Sequence, residues 1–411
     1  MPALRLLLCG LFLSWGAPPD GADAAQWPRF RGPNGAGVTP ESRIPITWKD
    51  ENCLWRTDLP GHGHSSPVIW GDRLFVTCAD ERTGDRTIGA LRLDRGDIEW
   101  TRTFPAASHA THELNSLASA TPTADERHVY IAWGTPDEIK VVALRHDGEV
   151  AWESDLGPYI AGHGFGQSLV LHGERLVLPV EKGEGSFRAA LRCDDGSVDW
   201  KVPCESALHY ATPCVRSTTA GDELVFVNWE HGIAGVDPTT GQPNWAADVF
   251  DKEHIEASIA SPVLAGNLVI GVSGYLGHGY EAVAVDPERK GDKVAWRLDR
   301  GAPLCTTPLV VNGLVIFWAD NGVVTCVEAA TGAVHWRERI GGNFYSSPIA
   351  AGNAIYNIST DGEMIVLAAD RAFAELARNP LPEASHATPA VLGDRMYVRT
   401  FSQMLCIGAA P

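Results

Sequence analysis

The sequence predicts an all-β fold, namely an eight-bladed β-propeller of four-stranded antiparallel blades. Three observations lead to this prediction: a tryptophan register, a serine or threonine marker in phase with it, and an N-terminal strand that completes the last unit. The tryptophans recur at intervals of about 40 to 52 residues, the length of a propeller blade, and the marker runs in phase with them. Closing such blades into a ring removes the exposed sheet edges of an open array.

The tryptophan register marks the outer strand of each unit. In five of seven cases a glycine stands four residues before the tryptophan, as in Gly241 before Trp245. Glycine tolerates the positive φ of a tight turn, so the strand that leaves the turn carries its ring at a fixed distance. We therefore expect these rings to wedge between neighbouring blades. The register comprises Trp55, Trp100, Trp152, Trp200, Trp245, Trp296 and Trp336.

A second marker, a serine or threonine that is usually followed by proline, opens the inner strand of each unit. An apolar run, a turn and a β-branched or aromatic strand follow most of these markers. We call them the marker residues: Ser66, Thr121, Ser168, Thr212, Ser261, Thr307, Ser347 and Thr388.

The last unit runs out of chain after its third strand. Residues 52–58 precede the first marker and carry Trp55 in register, so we expect them to be the outer strand of the last blade. The N-terminal strand would thus close the ring.

Three segments follow from this organisation: a signal peptide over residues 1–24, an N-terminal segment over residues 25–51, and the propeller over residues 52–411. Arg5, an apolar stretch over residues 6–15 and the small residues Ala22 and Ala24 have the pattern of a cleavable signal. The apolar stretch is too short to cross a bilayer. We therefore expect export to the periplasm or the cell exterior, cleavage near Ala24 and no transmembrane segment.

The composition excludes two classes of partner. The formal net charge is −18 and no stripe of lysine or arginine is present, whereas nucleic acids and anionic membranes need clustered cations. We expect a monomer whose partner is a protein or a small ligand. Of the cysteines, Cys204 and Cys214 flank a connection between blades and are the first candidates for a disulfide.

The turn over residues 236–245, with Asp237, Gly241 and Trp245, resembles the repeat of pyrroloquinoline quinone (PQQ) dehydrogenases and of non-enzymatic PQQ-like propellers. The N-terminal segment is similar to that of secreted bacterial PQQ-like repeat proteins, and BamB-type proteins share the repeat. The resemblance implies an eight-bladed ring. Quinone dehydrogenases of this kind have a disulfide between adjacent cysteines, a tryptophan below the cofactor, and a calcium or lanthanide site with a catalytic aspartate, so the resemblance implies these features for an enzyme. This chain has no adjacent cysteines, so we predict no PQQ site.

Histidines concentrate where the loops of a propeller surround the central channel. Convergent imidazoles can hold a transition metal or perform acid–base chemistry near neutral pH. The sequence therefore suggests a metal site formed by His64, His163, His209 and His386, with His62, His112 and His278 as further residues at the channel mouth. The alternative is a set of loop histidines at different radii that share no ion.

The predicted function is that of an exported, non-catalytic scaffold that binds a protein or a ligand. The alternative is an enzyme, either a quinoprotein-type dehydrogenase or a metal-dependent activity at the histidine-lined mouth. A scaffold needs a broad exposed patch, whereas a small-molecule site needs a deep pocket with convergent polar groups. The sequence also places Trp27 outside the ring, where its loss should matter far less than that of Trp200.

Overall fold

Eight four-stranded antiparallel sheets follow one another around a ring in the computed structural model, which describes residues 26–40, 42–204, 206–252, 257–275 and 279–409. Each sheet is one blade, and its innermost strand begins just after a marker residue. Hydrophobic clusters that span neighbouring blades form the core. The predicted fold class, an eight-bladed propeller, is confirmed.

The strands of each blade run from the channel outward. Blade 1 contains Val68–Trp70, Arg73–Ala79, Arg86–Arg92 and Ile98–Phe104, and blade 2 contains Thr123–Ala124, His128–Gly134, Ile139–Arg145 and Val150–Asp155. Blade 3 contains Val170–His172, Arg175–Val180, Phe187–Arg192 and Val198–Pro203, and blade 4 contains Cys214–Thr218, Gly221–Asn228, Gly232–Val236 and Pro243–Ala247. Blade 5 contains Val263–Ala265, Leu268–Tyr275, Gly279–Val285 and Val294–Leu298, and blade 6 contains Leu309–Val311, Leu314–Trp318, Val323–Glu328 and Val334–Arg339. Blade 7 contains Ile349–Ala351, Ala354–Ile358, Glu363–Ala368 and Glu375–Pro380, and blade 8 contains Ala390–Leu392, Arg395–Arg399, Gln403–Gly408 and Cys53–Asp58.

Five short elements of the described chain lie outside this pattern. Val38–Thr39 adds a parallel strand to the inner edge of blade 7, and Lys182–Gly183 pairs with Ser206–Leu208 beside blade 3. Two 3₁₀ turns, Pro33–Gly35 and Asp50–Asn52, precede the closing strand.

The ring is closed as predicted, because the N-terminal strand Cys53–Asp58 pairs antiparallel with Gln403–Gly408. Trp55 lies opposite Cys406, and Asp58 lies opposite Gln403. Blade 8 therefore combines the two ends of the described propeller and leaves no half-built blade.

The tryptophan register ties each blade to the next. Trp200 is 8% exposed, and a Cβ placed on Gly241 of the following blade would lie 2.6 Å from its ring, so the turn can carry no side chain. Its indole N–H donates to the Pro238 carbonyl at 3.0 Å. Five other register tryptophans donate in the same way at 2.8–3.2 Å: Trp55, Trp100, Trp152, Trp296 and Trp336.

Trp245 departs from this arrangement. Its indole N–H donates to the Glu223 carboxylate of its own blade at 2.9 Å. The turn of the next blade has Asp292 at the position that Gly241 occupies in blade 4.

The marker residues form a hydrogen-bonded girdle around the channel. The backbone N–H of one marker donates to the hydroxyl of the marker in the next blade, as from Thr388 to Ser66 at 3.1 Å across the closure. Seven such bonds of 2.9–3.1 Å are present. Because each bond fixes one inner strand against the next, the girdle sets a common register for all the residues that face the axis.

The N-terminal segment lies across the channel and is part of the core. Trp27 exchanges backbone hydrogen bonds with Ile69 of blade 1 and is only 1% exposed. The fully buried Arg31 donates to the carbonyls of Pro308 and Pro348, each at 2.9 Å. The expectation that Trp27 lies outside the packed ring was therefore wrong, because the segment packs against the blades.

The cysteines of the described residues are all free. The proposed Cys204–Cys214 disulfide is therefore wrong. Cys214 is buried beside Arg29 at the start of the innermost strand of blade 4, whereas Cys204 lies near the carboxylate of Glu181.

Candidate ligand-binding site at the channel mouth

A cavity of about 1010 Å³ lies on the ring axis and is lined by all eight marker residues. Phe30 of the N-terminal segment also lines it, between the two buried residues Arg29 and Arg31. Arg29 donates to the Pro213 carbonyl at 2.7 Å, so the segment is anchored on blade 4 as well as on blades 6 and 7. The cavity is thus a cup within the channel rather than an open pore.

A second ring of side chains stands two positions before the markers. Inner-strand residues alternate between faces with a period of two, so a residue two positions earlier faces the axis as the marker does. All eight of these positions line the cavity: His64, Ser119, Gly166, Tyr210, Ile259, Cys305, Tyr345 and His386. Most residues of this ring were not predicted from the sequence, although they all share the same offset from a marker.

The half-buried pair formed by His64 and His386 lies in a cluster of aromatic rings on the wall. Their ring centroids are 4.5 Å apart, and the Phe401 ring lies 5.4 Å from the first and 5.2 Å from the second. Tyr345 contacts His386 edge-on at 5.0 Å. The Nδ1 atom of His386 is buried and has no hydrogen-bond partner among the described residues.

Both imidazoles of this pair are neutral at physiological pH. Burial, reinforced by His386 and by the nearby guanidinium of Arg399, lowers the pKa of His64 to about 3. Burial alone lowers the pKa of His386 to about 4. Such weak bases are poorly matched to general base catalysis near pH 7, which favours a pKa close to the working pH.

A second histidine pair lies on the same cavity. The ring centroids of His112 and His163 are 5.0 Å apart, and both residues line the wall. The Asn115 amide holds the His163 carbonyl at 2.7 Å. Burial, followed by the proximity of His112, lowers the pKa of His163.

The remaining predicted histidines are placed elsewhere. His209 stands three positions before Thr212 and is buried at 2% exposure behind the wall, where its Nδ1 accepts the Ser258 N–H at 3.2 Å. His62 pairs with Ala79 through its backbone and does not line the cavity, and His278 lies outside the described residues.

Cys305 is the one thiol on the cavity wall among the described residues, and it stays protonated. The Asp320 carboxylate accepts the N–H groups of Leu304 and Cys305 at 2.6 and 2.9 Å. Burial raises the pKa of Asp320 despite these bonds, and burial together with this carboxyl group raises that of Cys305 well above the ordinary value. A nucleophile needs the thiolate, so this cysteine is not activated.

The described wall residues do not fit the PQQ cofactor of the quinone dehydrogenases whose repeat this chain resembles. Among the described residues, the lining contains no lysine, arginine, aspartate or glutamate, so these residues offer no counter-charge to the carboxylates of the quinone and no carboxylate ligand for calcium. No three potential ligands of the histidine, cysteine, aspartate and glutamate types converge anywhere in the described part of the chain. The four-histidine metal site stays a prediction. Of its four residues, the fold brings His64 and His386 into contact.

Within the described ranges, no helix has both the length and the apolar character needed to span a membrane.

Known proteins with this architecture include both assembly factors and dehydrogenases. Outer membrane protein assembly factor BamB from Yersinia pestis is 22% identical over 328 residues, which are 77% of this chain and 68% of that protein. The crystal structure of BamB from Moraxella catarrhalis matches with a TM-score of 0.63 and 13% identity, covering 87% of this chain and 99% of that chain. A europium-containing methanol dehydrogenase matches with a TM-score of 0.70 and 12% identity, covering 92% and 89%.

The two structural matches establish the shared fold alone, because their sequence identities are so low. A family model described as "Outer membrane protein assembly factor BamB" matches residues 46–212, 119–286 and 279–407. These ranges together span nearly the whole propeller, and the chain therefore belongs to the outer membrane protein assembly factor BamB family.

Proposed function

We propose that this protein is an exported, non-catalytic binding propeller that holds an uncharged small organic molecule in its central cavity. The observation that carries the proposal is the cup of about 1010 Å³ with a mixed aromatic, hydroxyl and imidazole wall. Ligand pockets commonly have volumes of about 300–1,000 Å³ and apolar walls with a few placed polar groups. The cavity has the size and chemistry of such a site.

The charge of the ligand follows from the wall. No described residue of the lining carries a formal charge when its histidines are neutral, and burial keeps His64 and His386 neutral. A buried ion without a partner costs several kcal/mol. A neutral ligand with aromatic or apolar surface and a few hydroxyl or carbonyl groups fits these walls best.

The outer surface gives less support to a docking role. Exposed apolar side chains on the outer strands stand two positions before register tryptophans, as at Ile98, Val150, Val198 and Val334, each 38–48% exposed. They belong to different blades, and apolar residues scattered singly over a surface are ordinary. Because the relatives are named outer membrane protein assembly factors, assembly of outer membrane proteins is a second candidate function.

Export is part of the proposal and rests on residues 1–24, which lie outside the described residues. N-terminal sequencing of the protein from the extracytoplasmic fraction should begin near Ala25. Recovery of the chain with Met1 intact in the cytoplasm would contradict export.

The ligand site can be tested with Nile red, an uncharged apolar dye that becomes fluorescent on leaving water. The dye should bind with one-to-one saturation, and Ile259→Trp should weaken binding at least tenfold by filling the cavity. Val198→Trp, on an exposed outer strand, is the matched control and should leave binding unchanged. An anionic dye, anilinonaphthalene sulfonate, should bind more weakly than Nile red. Equal binding by the wild type and Ile259→Trp would overturn the proposed site.

A further inference from the structure

We propose that the ligand of the central cavity is a neutral cyclic polyol, namely a single hexopyranose ring that lies flat on Phe30 and inside the girdle of marker residues. The inference rests on the proposed binding of an uncharged organic molecule and names its chemical class. It starts from the hydrogen bonding of the markers. All eight line the cavity, and each is only 2–7% exposed.

The marker hydroxyls have hydrogen-bonding capacity that the protein leaves unused. A hydroxyl group has one proton to donate and two lone pairs. Seven of the markers accept one backbone N–H in the girdle, and none of the eight donates its own proton to a group among the described residues. Buried polar groups in native proteins are almost always satisfied. The girdle is therefore a circle of donors that faces acceptors inside the cavity.

The N-terminal segment places an aromatic floor close to these hydroxyls. Arg29 and Arg31 donate to three proline carbonyls, and each of these prolines directly follows a marker residue. One residue of a strand advances about 3.3 Å, so the segment crosses the channel roughly one such step beyond the girdle. Phe30 stands between the two arginines and lines the cavity. A flat molecule that rests on this ring thus lies near the level of the marker hydroxyls.

A hexopyranose has the two kinds of surface that this arrangement requires. Its equatorial hydroxyls project outward around the ring, where their oxygen atoms can accept hydrogen bonds from the markers. Its C–H groups form an apolar face that can pack on the negative face of an aromatic ring. It carries no charge, which agrees with a lining that has no charged side chain among the described residues when its histidines are neutral. A circle of donors around an aromatic floor therefore favours a flat ring with hydroxyls on all sides.

Thr212 allows a test that leaves the girdle intact. Among the described residues it is the one marker whose hydroxyl accepts no girdle bond, whereas its backbone N–H donates to the Ser261 hydroxyl at 3.0 Å. Thr212→Val therefore removes one hydroxyl from the cavity and keeps the shape of the side chain and the backbone bond. Thr101→Val, at an exposed position of the outer strand Ile98–Phe104, is the matched control.

The experiment is isothermal titration calorimetry of the purified mature protein with D-glucose, D-galactose and D-mannose as probes. We expect at least one of these sugars to bind with one-to-one stoichiometry. Tetrahydropyran-2-methanol has the same ring without the ring hydroxyls, and D-glucuronate carries a carboxylate. Each should bind at least roughly tenfold more weakly than the best sugar, because the first loses several hydrogen bonds and the second buries an unpaired charge.

Variants test the two parts of the site separately. Thr212→Val should weaken binding of the best sugar roughly threefold to tenfold, the value of one neutral hydrogen bond, and Thr101→Val should leave it unchanged. Phe30→Leu keeps an apolar side chain but removes the aromatic floor, so it should also weaken sugar binding several-fold. Far-UV circular dichroism checks that each variant folds.

Two results would overturn the proposal: no binding of any of the three sugars, as expected if water alone occupies the girdle, or sugar binding that both Thr212→Val and Phe30→Leu leave unchanged. Nile red binding by the same samples reports separately on the proposed function. A cavity that binds Nile red but no sugar contradicts the polyol alone, whereas failure of both probes contradicts the ligand site itself.

Discussion

At the scale of single residues, all eight positions that stand two residues before a marker line the ligand cavity. His64 and His386 stand two positions before their markers and line it, whereas His209 stands three positions before and is buried behind the wall. The histidines alone are thus an incomplete guide. The same offset brings Tyr210 and Tyr345 to the cavity, and they supply much of its aromatic surface.

The neutral histidine pair should make the protein sensitive to acid. Burial lowers the pKa of His64 to about 3 and that of His386 to about 4, whereas both titrate near 6.5 in the unfolded chain. The unfolded chain therefore binds more protons below pH 6.5, and stability falls from that pH down to the folded pKa values. At pH 5 each histidine should contribute up to about 2 kcal/mol of this loss.

The double variant His64→Gln/His386→Gln should accordingly lose less stability than the wild type between pH 7.5 and pH 5. Urea unfolding at the two pH values measures the difference. His335→Gln, on the outer strand of blade 6, is the control. An equally steep loss in the double variant and the wild type would contradict the assigned titration.

Tryptophan substitutions test the packing of the blades. Trp200→Ala and Trp27→Ala should each destabilise the protein by about 3–5 kcal/mol, the usual cost of deleting a buried large aromatic side chain. Trp245→Ala should cost less, because this ring is only partly buried and bonds within its own blade. Chemical denaturation provides the free energies, and a small effect at Trp27 would contradict its place in the core.

At the scale of elements, the N-terminal segment acts as an internal brace of the ring. Arg31 is fully buried and donates to two carbonyls on neighbouring blades, without a carboxylate partner. Burial lowers its pKa to about 9. Two hydrogen bonds from one guanidinium hold blades 6 and 7 at a fixed separation near the axis.

Arg31→Lys should therefore destabilise the protein by about 2–3 kcal/mol, because a single ammonium cannot match the two-carbonyl geometry of the guanidinium. Arg127→Lys, an exposed residue paired with Asp194, should have little effect on the same urea unfolding curve. Similar effects at the two positions would mean that the brace contributes nothing specific.

At the scale of the whole molecule, ring closure can be separated from bracing by two deletions. Removal of residues 26–51 takes away the brace and leaves the closing strand, whereas removal of residues 26–58 also exposes the edge of Gln403–Gly408. The longer deletion should show the lower thermal midpoint and aggregate more readily, because an unpaired edge strand can pair with other chains. Equal midpoints and solubility would exclude a contribution from the closing strand.

Much of this architecture was predictable because its signals are local and repeated. The glycine before Trp245 predicts a turn, and the marker Thr212 predicts the start of a strand. Neither prediction depends on residues far away in the sequence. The role of Arg31 was not predictable, since its partners are backbone carbonyls, which every residue carries. The cavity was partly predictable: its histidines were identified, but the inward parity that selects among them requires strand registers.

The bracing segment also has a consequence for synthesis on the ribosome. Arg29 and Arg31 are made early, but their carbonyl partners are translated 184, 277 and 317 residues later. These guanidinium groups therefore lack their carbonyl partners until blades 4, 6 and 7 have been translated. Arg31 can therefore take its final position only after Pro348 has been translated.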